Sequence, residues 1–253
     1  MSAVALVGAL LVGVALGLLG GGGSILTVPL LVYVLGVDAK EAIATSLVVV
    51  GVTAAVAMLR HARAGNVAWG IALRFGLAGM VGAYGGGWVA GFLSGTTLLL
   101  LFAGMMLATG VAMLRPRPEP DEGEAPAHVR GGWRIVADGL VVGAVTGLVG
   151  AGGGFLVVPA LVLLGGLPMR HAVGTSLLVI AMKSSAGWLG HASHVSMDVE
   201  LTLTITAAAV VGSLLGAAVA ERVPPRRLRQ GFAVLVLVLA VVQLGMELPK
   251  LLG

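Results

Sequence analysis

Residues 17–31, reading GLLGGGGSILTVPLL, return 130 positions later at residues 147–161 as GLVGAGGGFLVVPAL. The first copy sits inside an apolar run that begins near Ser2 and ends near Gly36. Its four consecutive glycines, Gly20 to Gly23, are a poor helix interior, each costing about 1 kcal/mol relative to alanine. A helix entering this stretch is therefore expected to break. A break frees backbone N–H and C=O groups, and lipid has nothing to offer them, so irregular backbone at membrane depth survives only packed in protein or lining a wet cavity. Both glycine clusters are read here as lining a site.

That the surroundings are lipid follows from the composition. Of 253 residues, 58% are hydrophobic and 10% charged, and the mean hydropathy is +1.07. A soluble chain carries about 25% charged residues. Windows such as Ala42 to Leu59 and Leu98 to Leu114 hold no charge at all, and their length predicts transmembrane helices. Cysteine is absent, which excludes disulfides, thiolate catalysis and cysteine-ligated metal. The calculated pI of about 10.1 does not point to nucleic acid, because the arginines flank apolar segments as topology signals do. The N-terminus lacks the basic region of a signal peptide, so Ser2 to Leu19 is expected to be retained.

The repeat extends well beyond the glycines. At the fixed offset of 130, residues 17–61 and 147–191 share 18 identities over 45 positions, among them Pro29 with Pro159, Thr45 with Thr175, Ser46 with Ser176 and His61 with His191. Two homologous halves are therefore expected, residues 1–115 and 135–253, joined by a Pro-, Glu- and Gly-rich cytoplasmic linker, 116–134. Each half divides at its Gly, Pro and charge punctuation into about five apolar pieces. Arginine placement orients them. The loop after the third piece carries Arg60 and Arg63 in the first half and none in the second, whereas the loop after the fourth is bare in the first half and carries Arg222, Arg226, Arg227 and Arg229 in the second. Since cytoplasmic loops are enriched in Lys and Arg, equivalent loops lie on opposite sides. The fold expected is an all-α polytopic membrane protein of two inverted-topology repeats. The pieces after the glycines, about 12 and 10 residues, span only roughly 18 and 15 Å, short of a 30 Å core. They are Gly-broken short helices or re-entrant hairpins whose tips meet near the midplane.

Short helices starting at Ser24 and Phe155 would aim free N–H groups and positive dipole ends at the tips, favouring an anion. The candidate binding residues are Gly20, Gly22, Gly23 and Ser24 in the first half, with Gly150, Gly152, Gly153 and Gly154 in the second. Hydroxyl donors Thr45, Ser46, Thr175 and Ser176 join them, and Lys183, the one lysine within a predicted helix core, supplies charge. It lies seven residues after Ser176 on the same helix face, and its counterpart is Thr53. The plainer readings are that glycines let helices pack closely, that Ser and Thr bond back to their own helix, and that Lys183 snorkels. His61, His191 and Arg74 are read as interfacial. Asp138, Asp198 and Glu200 fall near predicted boundaries, and no buried carboxylate announces itself as a proton relay. There is no HExxH, no nucleophile–base spacing and no P-loop lysine, so no enzyme activity, metal or cofactor is expected.

The duplicated GxxGxGGGxxxxP element, the Thr-Ser pair and the histidine loop followed by Gly65-Asn66-Val67 resemble the sulfite exporter TauE/SafE family of permeases. The likeness covers both halves. It implies a multi-pass transporter of small anions, such as sulfite or organosulfonates and related organic acids, in the bacterial inner membrane; the repeats themselves suggest alternating access, and a proton or sodium is the candidate coupling ion. Alternatives are an anion channel using the same site and a non-transporting membrane scaffold. The chain departs from symmetry where Gly21 and Ser24 stand against Ala151 and Gly154, and where Val195-Ser196-Met197 replaces Gly-Asn-Val.

Overall fold

The computed structural model describes all residues except 1–2, 38, 91, 93–94, 116–131, 150–153, 192–197 and 253. The described residues form helices joined by turns, with no strand among them. In the first half these are α1 (Ala3–Leu19), a 3-10 turn (Gly20–Gly23), α2 (Ser24–Pro29) continuing as a π-helical turn (Leu30–Val34), α3 (Ala39–Arg63), α4 (Trp69–Ala90) and α5 (Gly95–Leu114). The second half gives α6 (Gly132–Val149), α7 (Gly154–Leu163), α8 (Met169–His191), α9 (Val199–Ala220) and α10 (Pro225–Leu252). The five expected pieces per half are all present. The starts of α2, α3, α4 and α5 recur at the same 130-residue offset in α7, α8, α9 and α10, and α6 begins at Gly132, inside the stretch assigned to the linker.

Glycine ends the first leg. Gly20 takes φ +68°, a conformation that side chains avoid, and α1 stops there. The chain then folds back along α1. A Cβ on Gly23 would stand 2.5 Å from the Leu16 amide nitrogen and 2.7 Å from the Val12 carbonyl oxygen, and further along Leu30 packs onto Gly8. So α2 folds back along α1. Pro29 has no N–H to give the Ile25 carbonyl, and the helix widens into the π turn directly after it. Both short legs close alike, Val37 N–H on the Leu31 carbonyl and Leu167 N–H on the Leu161 carbonyl, each at 3.0 Å. Gly36 and Gly166 take φ +68° and +71° beside them.

Helix directions follow from the ends. Glu41 at the start of α3 accepts from the Asp198 amide at the start of α9 (2.9 Å), while Arg60 near the end of α3 donates to Glu221 just past α9 (2.8 and 3.2 Å). Thus α3 and α9 run parallel. Helix α4, which turns back from the end of α3 through Gly65 (φ +74°), runs opposite to α9, its counterpart in the repeat.

Each hairpin leg is gripped by the other half. Along the parallel pair α1 and α9, Gly13 faces the Ala209 backbone, Gly17 the Ser213 backbone, and Gly212 and Gly216 face Leu10 and Val14. Along α6 and α4, Gly139, Gly143 and Gly147 meet the backbones of Phe75, Gly79 and Ala83. At these positions the close-packing reading of glycine is the right one. Helices α3 and α8 cross at the centre, where Gly51 meets Ser184, and α5 packs on α10. The core between them includes Leu16, Phe155, Met106, Leu161, Leu177 and Phe232, with Phe102 set edge-on to Phe155 at 5.2 Å.

The outside is as apolar as the inside: Val7, Leu11, Val81, Leu203, Val238 and Val241 are all more than half exposed, a surface suited to lipid. Among the described residues three helical stretches, Ala44–Arg63, Val199–Ala220 and Pro225–Gly245, are long and apolar enough to cross a membrane.

Two outcomes are expected. Gly143→Ala, whose methyl would overlap the Gly79 backbone, should destabilise the detergent-solubilised protein by about 1–3 kcal/mol. Gly85→Ala, which meets nothing, should leave it unchanged or gain about 0.5–1 kcal/mol; thermal unfolding compares the two. The Arg60 hydrogen bond holds the Glu221 carboxyl below its usual range, so the pair's contribution is full above the ordinary glutamate pKa of about 4.3 and disappears as pH falls through the lower folded value. The melting difference between wild type and Glu221→Gln should accordingly be present at neutral pH and shrink as the pH is taken below the ordinary glutamate pKa of about 4.3. A difference that persists in acid would count against the ion pair.

Candidate functional site

Gly21 in the first break packs against Gly154, where α7 starts. A Cβ on Gly21 would overlap the Gly154 carbonyl, and one on Gly154 would lie 2.5 Å from the Ser24 hydroxyl. Helix α8 runs past both. Ser176, Ile180 and Lys183 are spaced by four and three residues and share one of its faces. Ser176 Oγ would stand 2.6 Å from a Cβ on Gly20, Ile180 Cδ1 3.1 Å from one on Gly154, and Lys183 Nζ donates to Thr146 Oγ1 at 2.9 Å. Thr146 lies one turn before Gly150. The residues expected to act together are therefore strung along α8 over about 10 Å, seven residues at 1.5 Å each, rather than gathered at one point.

Several details differ from the sequence reading. The first turn after the break begins at Gly20, four residues before the predicted start, and Ser24 N–H already bonds the Gly21 carbonyl. The leading amides of a helical turn lack intrahelical acceptors, so here they belong to the glycines themselves, Gly22 included. Gly23 is used in packing on α1. The Ser24 and Ser176 hydroxyls donate to the Gly21 and Val173 carbonyls, each at 2.7 Å, the back-bonding that Ser and Thr commonly make. The Thr175 hydroxyl points elsewhere and accepts from Ala68 N–H at 3.0 Å, tying α8 to the start of α4. Thr45 and Ser46 are buried on α3, and the Thr45 hydroxyl has no partner, as is true of Thr27 and Thr53. Gly150, Gly152 and Gly153 lie outside the described residues.

Lys183 is the one cation of this face. Among the described residues no carboxylate pairs with it, and the hydroxyl that receives it is itself committed, donating to the Gly143 carbonyl at 2.9 Å. His61, near the end of α3, is buried (4% exposed). Its ring fits between two glycines, Nε2 lying 3.2 Å from the Gly17 carbonyl and Cβ against Gly174. A carbonyl only accepts, so Nε2 carries the hydrogen; Nδ1 is buried without a partner. The sequence held no signal for Thr146, since its repeat counterpart is Leu16, nor for His61, whose slot exists only once α1 and α8 are placed. No group of three or more His, Cys, Asp or Glu able to hold a metal occurs among the described residues.

Comparison with known proteins agrees with this architecture. Residues 5–242 match the sulfite exporter TauE/SafE family. The chain is 38% identical over 235 residues to a probable membrane transporter protein of Xylella fastidiosa strain 9a5c, covering 91% of this chain and 90% of that one. It is 26% identical over 236 residues to a probable membrane transporter protein of Methanocaldococcus jannaschii, covering 87% and 86%, and 29% identical over 258 residues to one of Haemophilus influenzae, covering 93% and 95%. No solved structure matches. With its exposed apolar helices and its duplicated, glycine-broken halves, the chain belongs to the sulfite exporter TauE/SafE family and is a multi-pass membrane transporter.

Proposed function

We propose that this transporter is a secondary permease that moves a small anion of the sulfite, organosulfonate or organic-acid type across a bacterial inner membrane by alternating access. The observation that carries the reading is Lys183. An ammonium at the centre of a membrane helix costs about 2.5–3.5 kcal/mol to insert. This one has no carboxylate to offset it among the described residues, and it lies beside Thr146, one turn from the second glycine break. A cation left without its counter-ion at a break in two helices is suited to an anion that comes and goes.

In this reading the halves 1–115 and 135–253 act as oppositely inserted repeats around a cytoplasmic linker, 116–134. The opposite directions of α4 and α9 and the alternating arginine loops support it. The anion meets leading glycine amides at the tips. It takes hydrogens from Ser24 and Ser176 as these rotate away from the Gly21 and Val173 carbonyls, exchanging one hydrogen bond for another at a net difference of about 1 kcal/mol or less. Lys183 supplies charge over a distance rather than direct contact with Gly20. Because α1 is bound to α9 and α6 to α4, the hairpins move with helices of the opposite half, which is how a rocking motion would pass the site from one face to the other.

The test is uptake and counterflow of radiolabelled sulfite, isethionate and lactate in proteoliposomes. Lys183→Ala should slow transport of the accepted anion by about tenfold or more, the equivalent of 1.4 kcal/mol, with an unchanged gel-filtration profile. Ser176→Ala should cost less, about fivefold for 1 kcal/mol. Full activity in Lys183→Ala would remove the site. Single-channel steps without counterflow would replace the carrier by a channel.

A further inference from the structure

Where α1 stops at the left-handed Gly20 (φ +68°), its last carbonyls lose their place in the helix ladder, and lipid has no donor to give them. His61 answers one of these. Its Nε2–H donates to the Gly17 carbonyl at 3.2 Å from a side chain that is almost wholly buried. The base of that side chain rests on α8, where a Cβ on Gly174 would stand 3.0 Å from His61 Cβ. His61 thus spans from α8 to α1 across a gap with glycine on both sides, and neither Gly17 nor Gly174 brings a side chain of its own to fill it. Its root is fixed. Asn66 N–H closes on the His61 carbonyl at 2.9 Å, the Asn66 carbonyl lies against Gly174, and the preceding residue, Arg60, is tied to Glu221.

The position of this span gives it a further role. Gly20 follows Gly17 by three residues, Ser176 follows Gly174 by two, and Ser176 Oγ lies 2.6 Å from where a Cβ on Gly20 would be. The contacts Gly17–His61–Gly174 and Gly20–Ser176 are therefore neighbouring rungs between α1 and α8, so the first sets the spacing at the second. Bulk alone does not call for imidazole. A leucine would fill an apolar gap without the cost of burying a polar nitrogen, and Nδ1 is buried with no partner. What the imidazole adds is the Nε2–H donor. In the sequence the same two residue types recur at the repeat offset, as Gly147 and His191.

We infer that His61 is a positioning residue of the anion site: by holding the Gly17 carbonyl it keeps the Gly20–Gly23 turn in place against Ser176, so that the leading glycine amides are presented as a set. Without the donor, the end of α1 gains slack against α8. Hydrogen bonds fade between about 3.2 and 3.6 Å, so a small displacement of the turn is enough to weaken its hold on an anion. His61 acts through the turn and does not touch the anion. The inference rests on the transport reading above.

Three variants of the full-length protein separate the donor from the bulk. His61→Ala keeps the Cβ on Gly174 and loses ring and donor, His61→Leu refills the gap without a donor, and His61→Gln restores an N–H at similar reach. In proteoliposomes, with whichever of radiolabelled sulfite, isethionate and lactate the wild type carries, His61→Ala and His61→Leu should raise KM about fivefold, the worth of one hydrogen bond, with kcat little changed. His61→Gln should recover most of the loss. Hydrogen exchange at Gly20–Gly23, followed by mass spectrometry in nanodiscs without anion, should keep the same order, faster in His61→Ala and His61→Leu and near wild type in His61→Gln. A wild-type KM in His61→Leu would overturn the assignment, because bulk would then suffice, and so would a fall in kcat at unchanged KM. Failure of the wild type to carry any of the three anions would overturn the transport reading, whereas unaltered exchange in His61→Leu beside normal wild-type transport would overturn the positioning role alone.

Discussion

Backbone on backbone, with nothing between, is the contact on which this molecule depends. Glycines of α1 lie against the carbonyls of α9, and glycines of α6 against those of α4. In an apolar solvent the hydrophobic effect gives helices little reason to associate, so close dispersion contact has to hold them, and it needs surfaces without side chains. The consequence is topological. The helix leading into each glycine break is held by the other half, so neither half has its own complete wall, and both breaks are fixed by the same two-fold exchange of partners.

That exchange explains why unwound backbone is tolerable inside. The first break is covered by protein: Gly20 by Ser176 and Val158, Gly21 by Gly154. The first hairpin is closed by the chain's own hydrogen bonds at both ends, the left-handed Gly20 at its tip and the Leu31–Val37 pair at its base. What is left unsatisfied is sparse and specific. Among the described residues it includes hydroxyls on α2 and α3, one imidazole nitrogen of His61, the Trp188 indole nitrogen, one oxygen of Asp138, and the ammonium of Lys183 with only a hydroxyl for company. In a bundle otherwise so apolar, these polar atoms stand out.

The near-symmetry is broken at several polar positions. Thr53 stands opposite Lys183, Gly8 opposite Asp138, and Leu16 opposite Thr146. At the ends the asymmetry recurs, since the Arg60–Glu221 ion pair has Gly190 and Gly91 as its counterparts. The two ends of the bundle are therefore held by different forces, one by exposed charge and one by the Glu41–Asp198 backbone contact.

Much of this was written in the order of residues. Run length and lack of charge determined the membrane class, the 130-residue offset determined ten helices in two matching sets, and four glycines in a row determined that the first set breaks at Gly20, because each of these is a local cost that no packing partner could reverse. Lys183 stood out for the same reason. Only the folded arrangement decided that α2 folds back along α1, that Thr175 is spent on Ala68 while Ser176 faces Gly20, and that His61 is buried. Those are questions of which neighbour faces which side chain across distant segments, and a pattern of spacings along one strand of residues carries no information about the helix that will lie beside it.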